Sequence, residues 1–280
     1  MAPKKVFVIR HCDKPSDKKG DRDHGGCNSD GYKRANLLAG FSPDTKCDGV
    51  TSCNNKCPVI YDHDNSTPYW SQVLLGGKPT KLLAPLSKND NKNCTKSNRC
   101  CLILNPTAAL YNLTINENNE SFCDDQGADM AKYIKSSYSS DDIVIVAWEH
   151  KNIPELINGL GISPKLGKWP DGEKNDRFDL VFIIDFSNGT PDLTIDVQNL
   201  RAKLPGDFDN KNPGKLYDDP FGYNYNKKNN SLRTTQRYYD INTSKKNNHL
   251  KIIIIFGGII VSIILICMLI YFIKKLFVKK

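Results

Sequence analysis

A chain of 280 residues, 39% hydrophobic and 25% charged, has the make-up of one good-sized globular domain with appendages. Its net charge of +8 comes from lysines scattered beside Asp and Asn, and it has neither an arginine-rich helix nor zinc-finger spacing. That distribution excludes the usual footprint of a nucleic-acid-binding protein.

The first element is "VFVIRHCDKP". Val6, Phe7, Val8 and Ile9 are β-branched or aromatic and predict a buried strand. The strand stops at Arg10-His11, with Pro15 against a simple continuation. Ligands of open α/β sheets sit beyond the carboxyl ends of strands. So either His11 is an ordinary loop histidine, or Arg10 and His11 face a ligand.

Next, "SDGYKRANLLAGF" predicts a helix capped by Asp30, with Tyr32, Ala35, Leu38 and Ala39 as its apolar stripe. "CPVIYDH" reads as a short strand, and the chain then stays loop-rich to about Thr107, with a short helix over residues 81–86. "DDQGADMAKYIKSSY" predicts a second amphipathic helix, with Met130, Ile134 and Tyr133 turned inward. "DDIVIVAWEH" is the strongest strand, apolar throughout as a central strand covered on both faces should be. "IPELINGLGI" follows as a helix ending at a glycine, and "RFDLVFIIDFSNGTPDLTIDVQNL" as a β-hairpin turning at Asn188-Gly189. Alternating strands and helices predict an α/β sandwich with a largely parallel sheet, finished by the hairpin.

Residues 1–205 form this expected domain, and residues 206–251, rich in Asn, Lys, Asp and Gly, read as a polar stalk. Residues 252–273, "IIIIFGGIIVSIILICMLIYFI", carry no charge. At helical rise they reach about 33 Å, enough to cross a hydrocarbon core of about 30 Å. Lys251, Lys274 and Lys275 flank the run and Tyr271 suits the interface, so residues 252–273 are expected to sit in a lipid bilayer. Residues 274–280 are a short basic tail. The "MAPKKVFVIRH" start lacks a signal-peptide h-region, so the expectation is a tail-anchored, single-pass protein with a cytosolic domain, the lumenal orientation being the alternative.

Ten cysteines, among them Cys47, Cys53 and Cys57 in one cluster and Cys94, Cys100 and Cys101 in another, allow reduced thiols, disulfides or a metal site. Their spacing does not match a zinc knuckle. Seven N-x-S/T sequons begin at Asn65, Asn93, Asn112, Asn119, Asn188, Asn229 and Asn242, and they matter only for a lumenal domain.

Two strands, "IRH" and "AWEH", end in histidines, His11 and His150, and such a pair could share one pocket. Here the chain resembles the histidine phosphatase superfamily, with its phosphoglycerate-mutase-like fold. "FVIRHCDKP" resembles the family's R-H-G signature, and "SDGYKRANLLAGF" its L-x-x-x-G-x-x-R-A helix. "IVIVAWEHKNIPELINGLGI" is similar to the second-histidine strand and helix of the branch that reads W-E-H-x-x-I-P, and "WPDGEKNDRFDLVFIIDF" to the segment after it. The likeness spans residues 4–200 in family order.

The resemblance implies a three-layer α/β sandwich with a mostly parallel sheet, and a small phosphorylated substrate or phosphate as partner. It implies His11 as the nucleophile that carries the phosphoryl group, Arg10 as its phosphate clamp and His150 as a donor to the transferring group. No metal or cofactor is implied.

Three departures stand out. Cys12 replaces the glycine after the histidine, where a side chain could crowd the pocket. "GGKPTKLLAPL" fits the frame of the family's second arginine segment with Lys78 in the arginine's place and Leu82 in that of a threonine. No general acid is identified. Glu149 is the first candidate but adjoins His150 on a strand, where neighbours face opposite ways, and Asp13 and Asp125 come behind it. His24 and His63 read as solvated loop residues, Trp148 and Trp169 as packing residues and Asp185 as a hairpin residue.

Three functions compete: a membrane-anchored phosphatase or phosphotransferase, a catalytically degenerate binding or scaffold protein of the same fold, and a structural membrane glycoprotein.

Overall fold

The computed structural model describes residues 2–13, 26–43, 53, 69–74, 77–87, 91–94, 97–118, 120–163, 165–169, 178–198 and 200. All lie in the first of two compact units, residues 1–225. The expected strand at residues 57–63, His24, His63, the stalk and the apolar run 252–273 fall outside the described residues. Among the described residues, no helix is long and apolar enough to cross a membrane.

The chain is an α/β domain built on a mixed five-stranded sheet. In chain order the elements are β1 (Lys5–Arg10), α1 (Ser29–Ala39), α2 (Tyr69–Val73), β2 (Lys81–Leu83), α3 (Arg99–Tyr111), α4 (Gly127–Ser137), β3 (Ile143–Trp148), α5 (Ile153–Gly159), β4 (Leu180–Asp185) and β5 (Asp192–Val197). The strand order is β2-β3-β1-β4-β5. β3 runs parallel to both β1 and β2, while β4 is antiparallel to β1 and to β5. The sheet is therefore less parallel than expected, because β4 enters antiparallel beside β1.

Period-two alternation divides the core between the faces of the sheet. Phe7, Ile9, Leu82, Ile145 and Ala147 pack with α1 and α3 residues such as Leu38 and Ile103. Val6, Val8, Val144, Val146 and Trp148 pack with Met130, Ile134, Leu156 and Ile157 of α4 and α5. β1 and β3, covered on both faces, thus carry apolar residues at successive positions, which is why residues 6–9 and 143–148 read as unbroken runs.

Three local expectations are corrected. α1 is capped two residues before Asp30, by Asn28, whose side chain accepts from Gly31 N at 2.8 Å. The segment read as a helix at residues 81–86 holds strand β2, extended by its parallel pairing to β3. α3 lies where a loop was expected. It is apolar around much of its circumference and contains Pro106, so no amphipathic period marks it. Trp70 Nε1 donates to Thr107 Oγ1 at 2.7 Å and ties α2 to α3. Between β4 and β5 the turn forms at Asn188-Gly189, where Gly189 adopts φ 77°.

Among the described residues, disulfides join Cys12 to Cys27, Cys53 to Cys101 and Cys94 to Cys123. Cys100 is a buried free thiol.

Candidate active site

Parallel neighbours in register place their ends side by side. Arg10 pairs with Trp148, and the next backbone amide, His11 N, donates to Trp148 O at 3.0 Å. His150 lies two residues beyond β3. The imidazoles meet with His11 Nε2 3.2 Å from His150 Nδ1 and ring planes at 71°.

His11 is only 2% exposed, and its Nδ1 lies 2.7 Å from the carbonyl oxygen of Cys12. A carbonyl only accepts, so Nδ1 carries the proton and Nε2 keeps the lone pair. Burial, then the charges of Arg99 and Arg10, holds the His11 pKa well below the usual histidine range, against the opposing hydrogen bond to Cys12. The result is a neutral imidazole with its nucleophilic nitrogen aimed at its partner ring.

Glu149 joins this pair. β3 ends at Trp148, and the chain tightens into a 3-10 turn over His150–Asn152. The opposite-face rule therefore ceases to apply at Glu149. Its carboxylate lies 2.7 Å from His150 Nδ1 and accepts from Lys151 N at 2.7 Å. Burial pushes the Glu149 carboxyl up, but the hydrogen bond and charge of His150 with the amides of Lys151 and Asn152 outweigh it and hold the pKa below the carboxylate norm. An ionised carboxylate orients His150 and is poorly suited to donate a proton as general acid. His11, Glu149 and His150 also place ligand atoms within 4.8 Å of one another, a donor set of two ring nitrogens and a carboxylate oxygen that suits a transition-metal ion.

A cavity of about 580 Å³ opens beside His11, with Arg99, Cys100, Asp124, Asp125, Glu149 and Lys151 on its wall. Arg99 was not singled out from the sequence. It is the first residue of α3, where Asn98 holds the cap position without a side-chain cap hydrogen bond, so the sequence marks this helix start only weakly. Arg99 Nε donates to Ser97 Oγ at 2.8 Å. Cys100 shares the wall but is no nucleophile, since burial outweighs Arg99 and pushes its thiol far up.

The other sequence candidates separate. Arg10 is buried with its guanidinium carbon 3.8 Å from the centre of the Phe178 ring and 5.6 Å from that of Trp169, and neither it nor His150, which stands behind His11 and Glu149, is on the cavity wall. Trp169, expected only to pack, also meets the His150 ring edge-on at 5.6 Å. Lys78 is exposed and precedes β2, where Thr80 N bonds Ile143 O at the opposite end of β3. With six strand residues between, Lys78 stands roughly 20 Å from His150. It cannot share a phosphate with His11. Asp13 is an ion-pair partner of Arg34 at 2.9 Å, and Asp125 is exposed on the cavity wall. Asp185 holds Lys5 at 3.0 Å and caps the hairpin through Ser187 N.

Cys12 and Asp13, which follow His11, are fixed from several sides. The Cys12 side chain turns into its disulfide with Cys27 instead of crowding the cavity. Asn28 N donates to Asp13 O at 2.9 Å. Gly31 packs so closely that a Cβ there would lie 2.9 Å from Asp13 O and 3.0 Å from Cys12 Cβ.

No family model matches the chain, and no curated protein matches it.

Proposed function

We propose that this chain is a phosphomonoester hydrolase or phosphotransferase of the histidine phosphatase type, with a three-layer phosphoglycerate-mutase-like domain carried on a membrane anchor at residues 252–273. The observation that carries the reading is the His11–His150 pair at 3.2 Å, with the proton of His11 tied to Cys12 O and the Nε2 lone pair left for attack.

In this mechanism a phosphate ester enters the cavity beside His11, and a phosphoryl oxygen shares with Glu149 the His150 Nδ1 proton that His11 Nε2 otherwise faces. His11 Nε2 attacks phosphorus, a P–N bond forms, and the P–O bond to the leaving group breaks. Glu149 holds His150 in its donating orientation, and Arg99 offers a planar fork to the phosphoryl oxygens as their charge spreads. Asp124 and Asp125, on the cavity wall, are the candidates for protonating the leaving oxygen. Water or a second acceptor alcohol then attacks the phosphohistidine and restores the lone pair.

The test is turnover of an aryl phosphate by the full chain in detergent, together with trapping of an acid-labile phosphoenzyme. His11→Ala should abolish both, a rate loss of at least about 10³-fold for a nucleophile. Unchanged turnover in His11→Ala would sink the assignment.

A second reading, a degenerate phosphate-binding protein of the same fold, draws on Arg10 being held between Phe178 and Trp169 and on Lys78 lying far from the histidines. Phosphate binding without turnover or phosphoenzyme would favour it.

A further inference from the structure

The three disulfides engage Cys12, Cys27, Cys53, Cys94, Cys101 and Cys123, all buried. Such a set persists in an oxidising compartment and is rare in a reducing one. In that setting an exposed asparagine in an N-x-S/T sequon is an acceptor for oligosaccharide.

Two sequons lie wholly within the described residues and well away from the cysteines. Asn112 closes α3 in the left-handed region at φ 53°, and Asn112 and Thr114 are both exposed. Asn188 and Thr190 are exposed in the β4–β5 turn. Both sites stand on protruding turns, where the chain can be drawn into a transferase. Both also stand away from the cavity. α3 starts at Arg99 on the cavity wall, and its 13 residues carry Asn112 about 20 Å off. Asp185, the end of β4, pairs with Lys5 at the start of β1, so the hairpin turn leaves the sheet at the end opposite His11. A glycan at either place leaves the cavity open.

We propose that Asn112 and Asn188 carry N-linked oligosaccharides, and that the domain faces an oxidising lumenal or extracellular space, the reverse of a cytosolic tail-anchored orientation. The donor is an oligosaccharide linked through pyrophosphate to a polyprenyl lipid. A C–N bond forms between the anomeric carbon and Asn Nδ2, the C–O bond to pyrophosphate breaks, and the amide loses one proton as the lipid pyrophosphate leaves. This assignment is independent of the phosphatase reading.

The experiment is expression of the full chain in a eukaryotic cell with an intact secretory route, followed by gel mobility with and without peptide N-glycosidase. The glycosidase should shift the wild-type band. Asn112→Gln and Asn188→Gln should each remove one step, and so should Thr114→Ala and Thr190→Ala, which leave the asparagine in place. Thr114→Ser and Thr190→Ser should keep it. Alkylation of the denatured, unreduced chain should leave Cys12, Cys27, Cys53, Cys94, Cys101 and Cys123 unmodified until reductant is added. A band indifferent to the glycosidase overturns the proposal whatever the thiols show. A step that survives both variants of one sequon overturns that site, and full alkylation without reductant overturns the compartment.

Discussion

The Asp13 carboxylate, two residues after the histidine that the proposed reaction uses, and the Arg34 guanidinium meet at 2.9 Å with 6% and 0% of their side chains exposed. A second contact, Arg34 Nη1 to Gln198 Oε1 at 3.2 Å, ties the same guanidinium to the residue that follows edge strand β5, at the His11 end of the sheet. Removing one partner of a buried pair leaves an uncompensated charge and typically costs about 3–5 kcal/mol. Arg34→Met and Asp13→Leu should each lower unfolding stability by about that amount in urea titrations. The double variant should be less destabilised than either single one, because no lone buried charge remains. If the two single losses simply add, the pair is not the coupled unit described here.

Gly31 offers a smaller version of the same test. Its added Cβ would press on the Asp13 backbone, which has little room to yield because Asn28 and the Cys12–Cys27 disulfide hold it. Gly31→Ala is expected to cost about 1–3 kcal/mol through overpacking. Turnover should fall with it, since the displaced segment carries the Cys12 carbonyl that fixes the His11 tautomer. A variant as stable and as active as wild type would show that this close approach matters to neither.

What the sequence disclosed follows from where the physics is local. β1 and β3 are covered on both faces, so their apolar runs were visible without any partner. The two histidines were legible for the same reason, because each follows the end of such a run. β2 has three residues, and its extended state is imposed by β3 through the Lys81–Val144 and Leu83–Val146 pairing. Nothing within those three residues distinguishes it from a short helix. α3 hid behind its all-round apolarity and Pro106, and Arg99 hid with it. Lys78 shows the converse failure. A motif frame gives an order along the chain, but not which end of the neighbouring strand a residue reaches. Glu149 reaches His150 and the cavity because strand alternation ends with β3 at Trp148, a boundary that the apolar run alone does not mark.

Arg99 and Lys78 therefore make a discriminating pair. A charged hydrogen bond to phosphate contributes about 1.5–3 kcal/mol, so Arg99→Ala should lower kcat/KM for an aryl phosphate by about 10- to 150-fold. Arg99→Lys should recover only part of this, since an ammonium lacks the planar fork. Lys78→Ala, on the exposed far end of the sheet, should leave kcat/KM at the wild-type value. A large loss in the Lys78 variant with none in the Arg99 variant would restore the motif-based assignment and remove Arg99 from the site.

The pH dependence follows from His11. Its pKa is held well below the ordinary value of about 6.5 by burial and then by Arg99 and Arg10. The unfolded chain thus binds a proton near pH 6.5 that the folded chain refuses until much lower pH. Between these two values the unfolded state holds more protons, so stability rises with pH across that window and is level above it. His11→Gln should flatten the part of this slope that begins at about pH 6.5. Glu149, depressed in the folded state, loses its stabilisation only at lower pH, in the carboxylate range, so the two effects separate. The same neutral imidazole predicts turnover that does not fall as pH drops from 8 to 6.5. Unfolding free energies of wild type and His11→Gln measured from pH 8 to 5 should diverge only below about 6.5, with wild type losing the more. Parallel curves over that range would mean that His11 titrates like an exposed histidine and that its Nε2 is not the protected lone pair the proposed reaction requires.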